Sequence, residues 1–212
     1  MRVGGRVVRI PQRRIDPRHD RLSVDGIALR GGARRIVLVM HKPVGYITSR
    51  TDPAGRATVY DLLGDQAWVF PVGRLDRDTS GLLVLTNDHR LGQRLTDPEH
   101  RVRKTYHARV RGLPEDAALR VLREGTPLGD GSLTRPAEVR RLGVARGGSS
   151  WLEIVLTEGK NRQVRRMCAA VGHEVEELVR VRIGRLCLGN LAPGEWRRLD
   201  RDEIARLQED AC

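Results

Sequence analysis

The stretch VGRLDRDTSGLLVLTND, residues 72–88, sets four charges, Arg74, Asp76, Arg77 and Asp78, between two apolar runs: Val69, Phe70 and Val72 before them and Leu82, Leu83, Val84 and Leu85 after. The second run is too short for a helix and is bounded by turn residues, so Leu82–Thr86 reads as a buried strand. Asn87 or Asp88 then opens a helix that closes before Pro98. The charged quartet therefore lies on an irregular loop entering a strand. Two readings stay open: a turn joining buried strands, or a carboxylate held where water is scarce because chemistry requires it.

The flanking sequence alternates strand-like and helix-like runs. RRIVLVMHKPVGYIT, residues 34–48, suggests a strand, a break at Lys42-Pro43 and a second short strand. TVYDLLG reads as a short helix capped by Thr58 and stopped by Gly64. KTYHARVRG sets Tyr106, Ala108 and Val110 against His107, Arg109 and Arg111, a half-buried strand with a basic outer face. LPEDAALRVLREG has Pro114 at the start and Gly125 at the end of a helix. In SWLEIVLTEGKNRQVRRMCAAVGHEV a strand turns at Gly159 into a helix capped by Asn161. Its apolar stripe is Val164, Met167, Cys168 and Val171, and Gly172 ends it. ELVRVRIGRLCLGNLAPGEWRRL adds further strands and RDEIARLQED a terminal helix. Many strands with few helices predict an α+β fold built on a mixed, largely antiparallel central sheet with flanking helices.

Composition narrows the partner. The chain has 212 residues, ordinary apolar content and a formal charge of +12, which attracts polyanions and favours nucleic acid. Cys168, Cys187 and Cys212 are widely spaced with no C-x-x-C pair, which argues against a zinc cluster and a disulfide framework and suggests a reducing compartment. No apolar run approaches a membrane span, and a cytoplasmic protein without membrane contact is expected. Walker, dinucleotide, zincin and nucleophile-elbow signatures are missing, which leaves acid, base and arginine as the available chemistry. An ionised carboxylate in a dry pocket is a potent base or nucleophile, and Asp76, between Arg74 and Arg77, fits that description as well as it fits a turn. Asp78, beside Thr79-Ser80-Gly81, reads instead as a turn or surface-pair aspartate.

GRLDRDTSGLLVLTND closely resembles the catalytic motif of pseudouridine synthases, and KTYHARVRG and GKNRQVRRM match that superfamily's next two motifs in order. NRQVRRMCAAVGHEV, HKPVGYITS and LAPGEWRRL look like the branch that modifies bacterial ribosomal RNA. The resemblance runs from Arg35 to Leu199. It implies that Asp76 is the essential residue, attacking the ribose or deprotonating it, and that uracil is detached, turned and rejoined through carbon without cofactor or metal. It also implies that Arg74 holds the flipped-out nucleotide, Tyr106 packs on the target base and Arg165 pairs with Asp76. Arg77, Lys160, Arg162 and Arg166 are candidate RNA contacts. Read from the residues alone, Arg165, beside the apolar stripe, fits either a solvated helix face or a rim position from which its head reaches inward to a pocket carboxylate, and Tyr106 fits the core.

Residues 1–32 stand apart: ten arginines against three aspartates put +7 into residues 1–40. RVGGRVVRIPQRRIDPRHDRLSVDGIAL, residues 2–29, reads as short strands, Arg6–Ile10 and Arg21–Val24, with a hairpin turn at Asp25-Gly26 and a linker at Gly31-Gly32. It resembles the second half of a small ribosomal-protein-like RNA-binding domain without its leading helices. The expected organisation is a partial RNA-binding lobe, 1–32, and a catalytic domain, 33–212. The expected enzyme is a monomeric ribosomal RNA pseudouridine synthase acting on free RNA or on an assembly intermediate. The rival is a non-catalytic RNA-binding assembly factor that uses the same basic surface.

Overall fold

The structure, a computed structural model, describes all residues of the chain except 11, 17, 18, 30–33, 65–67, 146 and 210–212. The chain forms two compact units, Met1–Arg35 and Ile36–Cys212. The first holds β1 (Arg2–Val3), β2 (Arg6–Val7), β3 (Leu22–Val24) and β4 (Ile27–Leu29) in one antiparallel sheet of order β2-β1-β3-β4. Asp25 and Gly26 both take positive φ, 50° and 81°, so the expected hairpin turn is of the primed kind that matches strand twist. The strand expected over Arg6–Ile10 stops at Val7. The Gly31-Gly32 linker lies outside the described residues. Val7, Ile10 and Ile27 are exposed and Val3 is buried, so this unit encloses little apolar surface.

The second unit is built on β5 (Val37–Lys42), β6 (Phe70–Val72), β7 (Ser80–Thr86), β8 (Lys104–Arg111), β9 (Glu138–Val144), β10 (Ser149–Leu156), β11 (Val175–Ile183), β12 (Leu186–Cys187) and β13 (Trp196–Arg198). They form one sheet whose main path is β13-β5-β7-β11-β8-β10-β9. Among the described residues four α-helices flank it: α1 (His89–Thr96), α2 (Asp116–Glu124), α3 (Gln163–Ala170) and α4 (Arg201–Glu209). The expected α+β class, with a mixed and largely antiparallel sheet, is what forms. The parallel pairing in this sheet is β7 with β11, Ser80 beside Val179 and Gly81 beside Arg180.

β5 and β7 are buried on both faces, which explains their unbroken apolar spelling. Val37, Val39, Leu82 and Val84 join Leu91 and Leu95 of α1 on one side. Leu38, Met40, Leu83 and Leu85 join Val59, Leu63 and Leu75 on the other. A separate core under β8 and β10 takes Leu119 and Leu122 from α2 and Met167 and Cys168 from α3. Asp88 caps α1 by accepting from the backbone N–H groups of Arg90 and Leu91.

Three local expectations are corrected. Residues 58–63 form successive turns, not a helix: Asp61 and Leu63 donate only to carbonyls three residues back, while Thr58 bridges Ile47. That bridge holds the segment's start to another chain segment and lets Val59 and Leu63 drop into the core. The second short strand after Pro43 is reduced to the Ile47 bridge. Helix α3 is entered through Arg162 in the left-handed region (φ 47°), not capped by Asn161. The Gln163 side chain reaches back instead to the Lys160 N–H. Among the described residues no helix is long and apolar enough to cross a membrane.

Candidate active site

The loop 73–79 is set by a second segment thirty residues earlier. Gly45 donates its N–H to the Arg77 carbonyl, the Thr48 hydroxyl donates to the Leu75 carbonyl at 2.9 Å, and Leu75 N–H returns a bond to the same hydroxyl. Thr79 N–H closes the turn on the Asp76 carbonyl. Beneath this interlock Lys42 is fully buried, and its Nζ donates to the Pro43 and Tyr46 carbonyls at 2.8 Å each. Burial pushes its ammonium down to about 8, against the opposing pull of the Asp76 and Asp78 carboxylates. HKPVGYITS is thus the scaffold on which GRLDRDT rests.

Asp76 opens onto a pocket of about 840 Å³ whose floor is the sheet face carrying Lys104, Tyr106, Leu178 and Arg180, and whose rim includes Arg74, Arg77, Lys160 and Arg162. That volume is in the range of small-ligand sites. The Asp76 side chain is 35% exposed, so it sits at the mouth of the pocket and not in a sealed interior. Its nearest ionic partner is Arg162, with Nη1 3.8 Å from Oδ2. Among the described residues no group donates a hydrogen bond to this carboxylate. The contrast with Asp78 is sharp: Arg162 donates to both its oxygens at 2.9 Å, and Arg165 Nε lies 3.2 Å away. The hydrogen bond from Arg162, helped by the charges of both arginines against partial burial, holds the Asp78 carboxyl below the usual carboxylate range.

The expected Arg165–Asp76 pair is therefore corrected: Arg165 pairs with Asp78. Its side chain is 14% exposed, and Nη2 donates to the Asp78 carbonyl at 2.7 Å while Nη1 donates to the Val175 carbonyl at 2.9 Å. Those two carbonyls fix the fork against the loop and the start of β11, and carry it past Asp76. Asp78, read from the sequence as a turn residue, is the hub that ties α3 to the loop. Arg166 is not among the residues that line the pocket. It donates to the Leu128 carbonyl and pairs with Asp130 at 2.7 Å, anchoring the turn before β9. Arg74 and Arg77 are exposed, Arg77 leaning on the Gly45 carbonyl, and Lys160 donates to the Leu133 carbonyl.

Tyr106 is half-buried on the pocket side of β8, directly across from Arg180. Among the described residues its hydroxyl has no partner. The outer face of the same strand is less basic than expected, since Arg109 pairs with Glu176 and Glu177, and Arg111 with Glu174 and Glu176. Lys104 and Arg180, which line the pocket, and Lys42, buried beneath the Asp76 loop, are site residues that sequence reasoning missed. A signal was available: 36 of the 39 basic residues are arginine, and the only three lysines, Lys42, Lys104 and Lys160, all converge here.

The buried Lys42 has a testable consequence for stability. Its folded pKa is near 8 against 10.5 for an unperturbed lysine, so between those values the unfolded chain binds more protons. From this group the unfolding free energy therefore rises with pH across that window, as the cost of a buried charge disappears. In Lys42→Met this rise should be lost, measured as the difference between urea midpoints at pH about 8 and about 10 relative to wild type.

The motif order, the sheet and this pocket define a class. The family model for RNA pseudouridylate synthases matches residues 36–170, and the chain belongs to that family. It is 38% identical to an uncharacterized RNA pseudouridine synthase of Aquifex aeolicus over 98% of this chain and 83% of that protein. It is 42% identical to ribosomal large subunit pseudouridine synthase E of Xanthomonas campestris over 76% of this chain and 94% of that protein. A crystal structure of a pseudouridylate synthase superposes with a TM-score of 0.73 at 29% identity, covering 97% of this chain and 87% of that one.

Proposed function

We propose that this chain isomerises a specific uridine to pseudouridine in ribosomal RNA, with Asp76 as the carboxylate that acts on the ribose. The observation carrying this reading is a pocket aspartate whose carboxylate, among the described residues, receives no hydrogen bond and is bordered by Arg162 and, below, by the buried Lys42. With no donor bound to it, this carboxylate keeps its lone pairs available for attack at the anomeric carbon or removal of a proton from the neighbouring sugar carbon. Either route frees uracil from its N1 link so that C5 can take the bond. The names of the relatives from Xanthomonas campestris and Bacillus subtilis favour large-subunit RNA as substrate.

A target base must leave its stack to reach Asp76, at a cost of a few kcal/mol. Tyr106 offers an aromatic surface for it, and Arg74, Arg77, Lys160 and Arg162 offer phosphate contacts along the rim. The exposed arginines of the first unit, among them Arg2, Arg6, Arg9 and Arg21, fit further backbone contacts and an RNA-binding lobe. Arg165 acts in this scheme by positioning the loop through Asp78. Arg165→Lys keeps the charge but cannot span the Asp78 and Val175 carbonyls together. It should lower kcat by about a hundredfold with KM little changed, as expected for a misplaced group.

The reading is tested by incubating purified protein with large- and small-subunit ribosomal RNA transcripts and mapping pseudouridine chemically. One modified position in large-subunit RNA is expected. Tight RNA binding with no pseudouridine in either RNA would instead identify a non-catalytic assembly factor.

A further inference from the structure

Arg180 is buried to 4% exposure on the pocket floor, yet its guanidinium is only partly satisfied. Nε donates to the Leu82 carbonyl at 2.8 Å, and Nη2 has no partner. Among the described residues no carboxylate oxygen lies within 4 Å of it. A buried arginine without a counter-ion is costly to keep, since each unmet donor loses its hydration without replacement. Lys104 stands on the same sheet face, two residues before Tyr106, and its Nζ reaches only the Val102 carbonyl at 3.2 Å. Burial, and then the charge of Arg180, lower its pKa to about 8. Two cations, Arg180 buried and Lys104 partly buried, thus share one floor beside the tyrosine and below the mouth where Asp76 stands. Other carboxylates of the pocket are engaged elsewhere: Glu158 accepts from Arg135 and Gln163, and Asp52 from Arg56.

Donors arranged this way call for an acceptor supplied by the ligand. Resting on the functional reading above, we propose that Arg180 and Lys104 bind the carbonyl oxygens of the target uracil and stabilise the negative charge that collects on the base when its bond to ribose breaks. In that step the C1′–N1 bond breaks and its electron pair leaves with N1, delocalised onto O2 and O4. Asp76 either forms an ester bond to C1′ or takes the proton from C2′. When C5 bonds to C1′, the ester bond breaks or the C2′ proton returns. C5 then loses its proton and N1 gains one, so the product is an isomer of the substrate. Charge on the base exists only during this passage. A preorganised cationic floor therefore lowers the barrier more than it strengthens binding. A phosphate would also satisfy these donors, but it carries its charge throughout, and its loss would appear in affinity.

The test uses Arg180→Met, Arg180→Lys and Lys104→Met with a large-subunit ribosomal RNA transcript containing the position modified by the wild-type enzyme. A second transcript carries 5-fluorouridine there, whose fluorine withdraws electrons and makes the base a better leaving group. Single-turnover loss of uridine or 5-fluorouridine is followed in nuclease digests. Each methionine variant should be slowed on the order of a hundredfold with uridine. The deficit should shrink by about tenfold or more with 5-fluorouridine, while the Kd for RNA stays within about twofold and Arg180→Lys recovers part of the rate. An equal deficit on both transcripts, as misfolding would give, overturns the proposal, as does a loss confined to Kd, which would mark a phosphate site. Wild-type rates in the variants overturn it while leaving the functional reading intact. A wild-type enzyme that makes no pseudouridine overturns both.

Discussion

Asp76→Asn is expected to abolish pseudouridine formation, lowering the single-turnover rate by at least about a thousandfold, within the range that a positioned acid or base contributes. Asparagine keeps the shape and removes the basic, nucleophilic oxygen. Among the described residues no group donates a hydrogen bond to the Asp76 carboxylate, and its only ion pair is the 3.8 Å approach of Arg162. The fold should therefore be indifferent to the change, with unfolding free energy within about 0.5 kcal/mol of wild type. Affinity for ribosomal RNA should also persist, because phosphate contacts from the basic surface supply most of it. Chemical mapping of pseudouridine, a filter-binding isotherm and a urea curve on the same preparation check all three. Product at the wild-type rate would remove Asp76 from the chemistry.

Gly81→Ala should produce the largest loss of stability of any single methyl group in the protein. A Cβ at position 81 would sit 2.3 Å from the Arg180 carbonyl oxygen and 2.5 Å from its nitrogen, and both are backbone atoms of the adjoining strand. Its φ of +110° is itself unfavourable for an L side chain. Neither problem has a cheap remedy, because moving either strand breaks the parallel β7–β11 pairing on which the Asp76 loop and the pocket floor depend. A loss above about 4 kcal/mol is expected, seen as a collapse of the urea midpoint or as failure to accumulate soluble protein. Gly64→Ala is the control: φ is +60° with nothing within 4 Å of the added Cβ, so only the backbone cost of about 1–2 kcal/mol applies. Similar losses at both positions would show that close strand approach is not what requires glycine at position 81.

Much of the architecture was legible along the chain because local patterns carried it. Leu82–Leu85 spelled a buried strand, Asp88 a cap, Asp25-Gly26 a hairpin turn and Gly125 a helix end, and each is signalled by residues adjacent in the sequence. The segment TVYDLLG misled for the converse reason: its helical spacing was overridden by the bridge from Thr58 to Ile47, eleven residues away. Asp76 was visible through its motif, whereas the hub role of Asp78 was not, since nothing near it in the sequence shows that two arginines more than eighty residues later converge on it.

The sequence by itself determined the family, the order of the elements, the basic character of the protein and the identity of the candidate carboxylate. Apolar period, turn chemistry and motif order are all written in consecutive residues. Only the tertiary structure decided which arginine faces which aspartate, that Arg166 turns away from the pocket, and that Arg180 and Lys104 form its cationic floor. A guanidinium's partner is set by where strands and helices cross, and the crossing of β7 with β11, ninety-nine residues apart at Gly81 and Arg180, leaves no local trace.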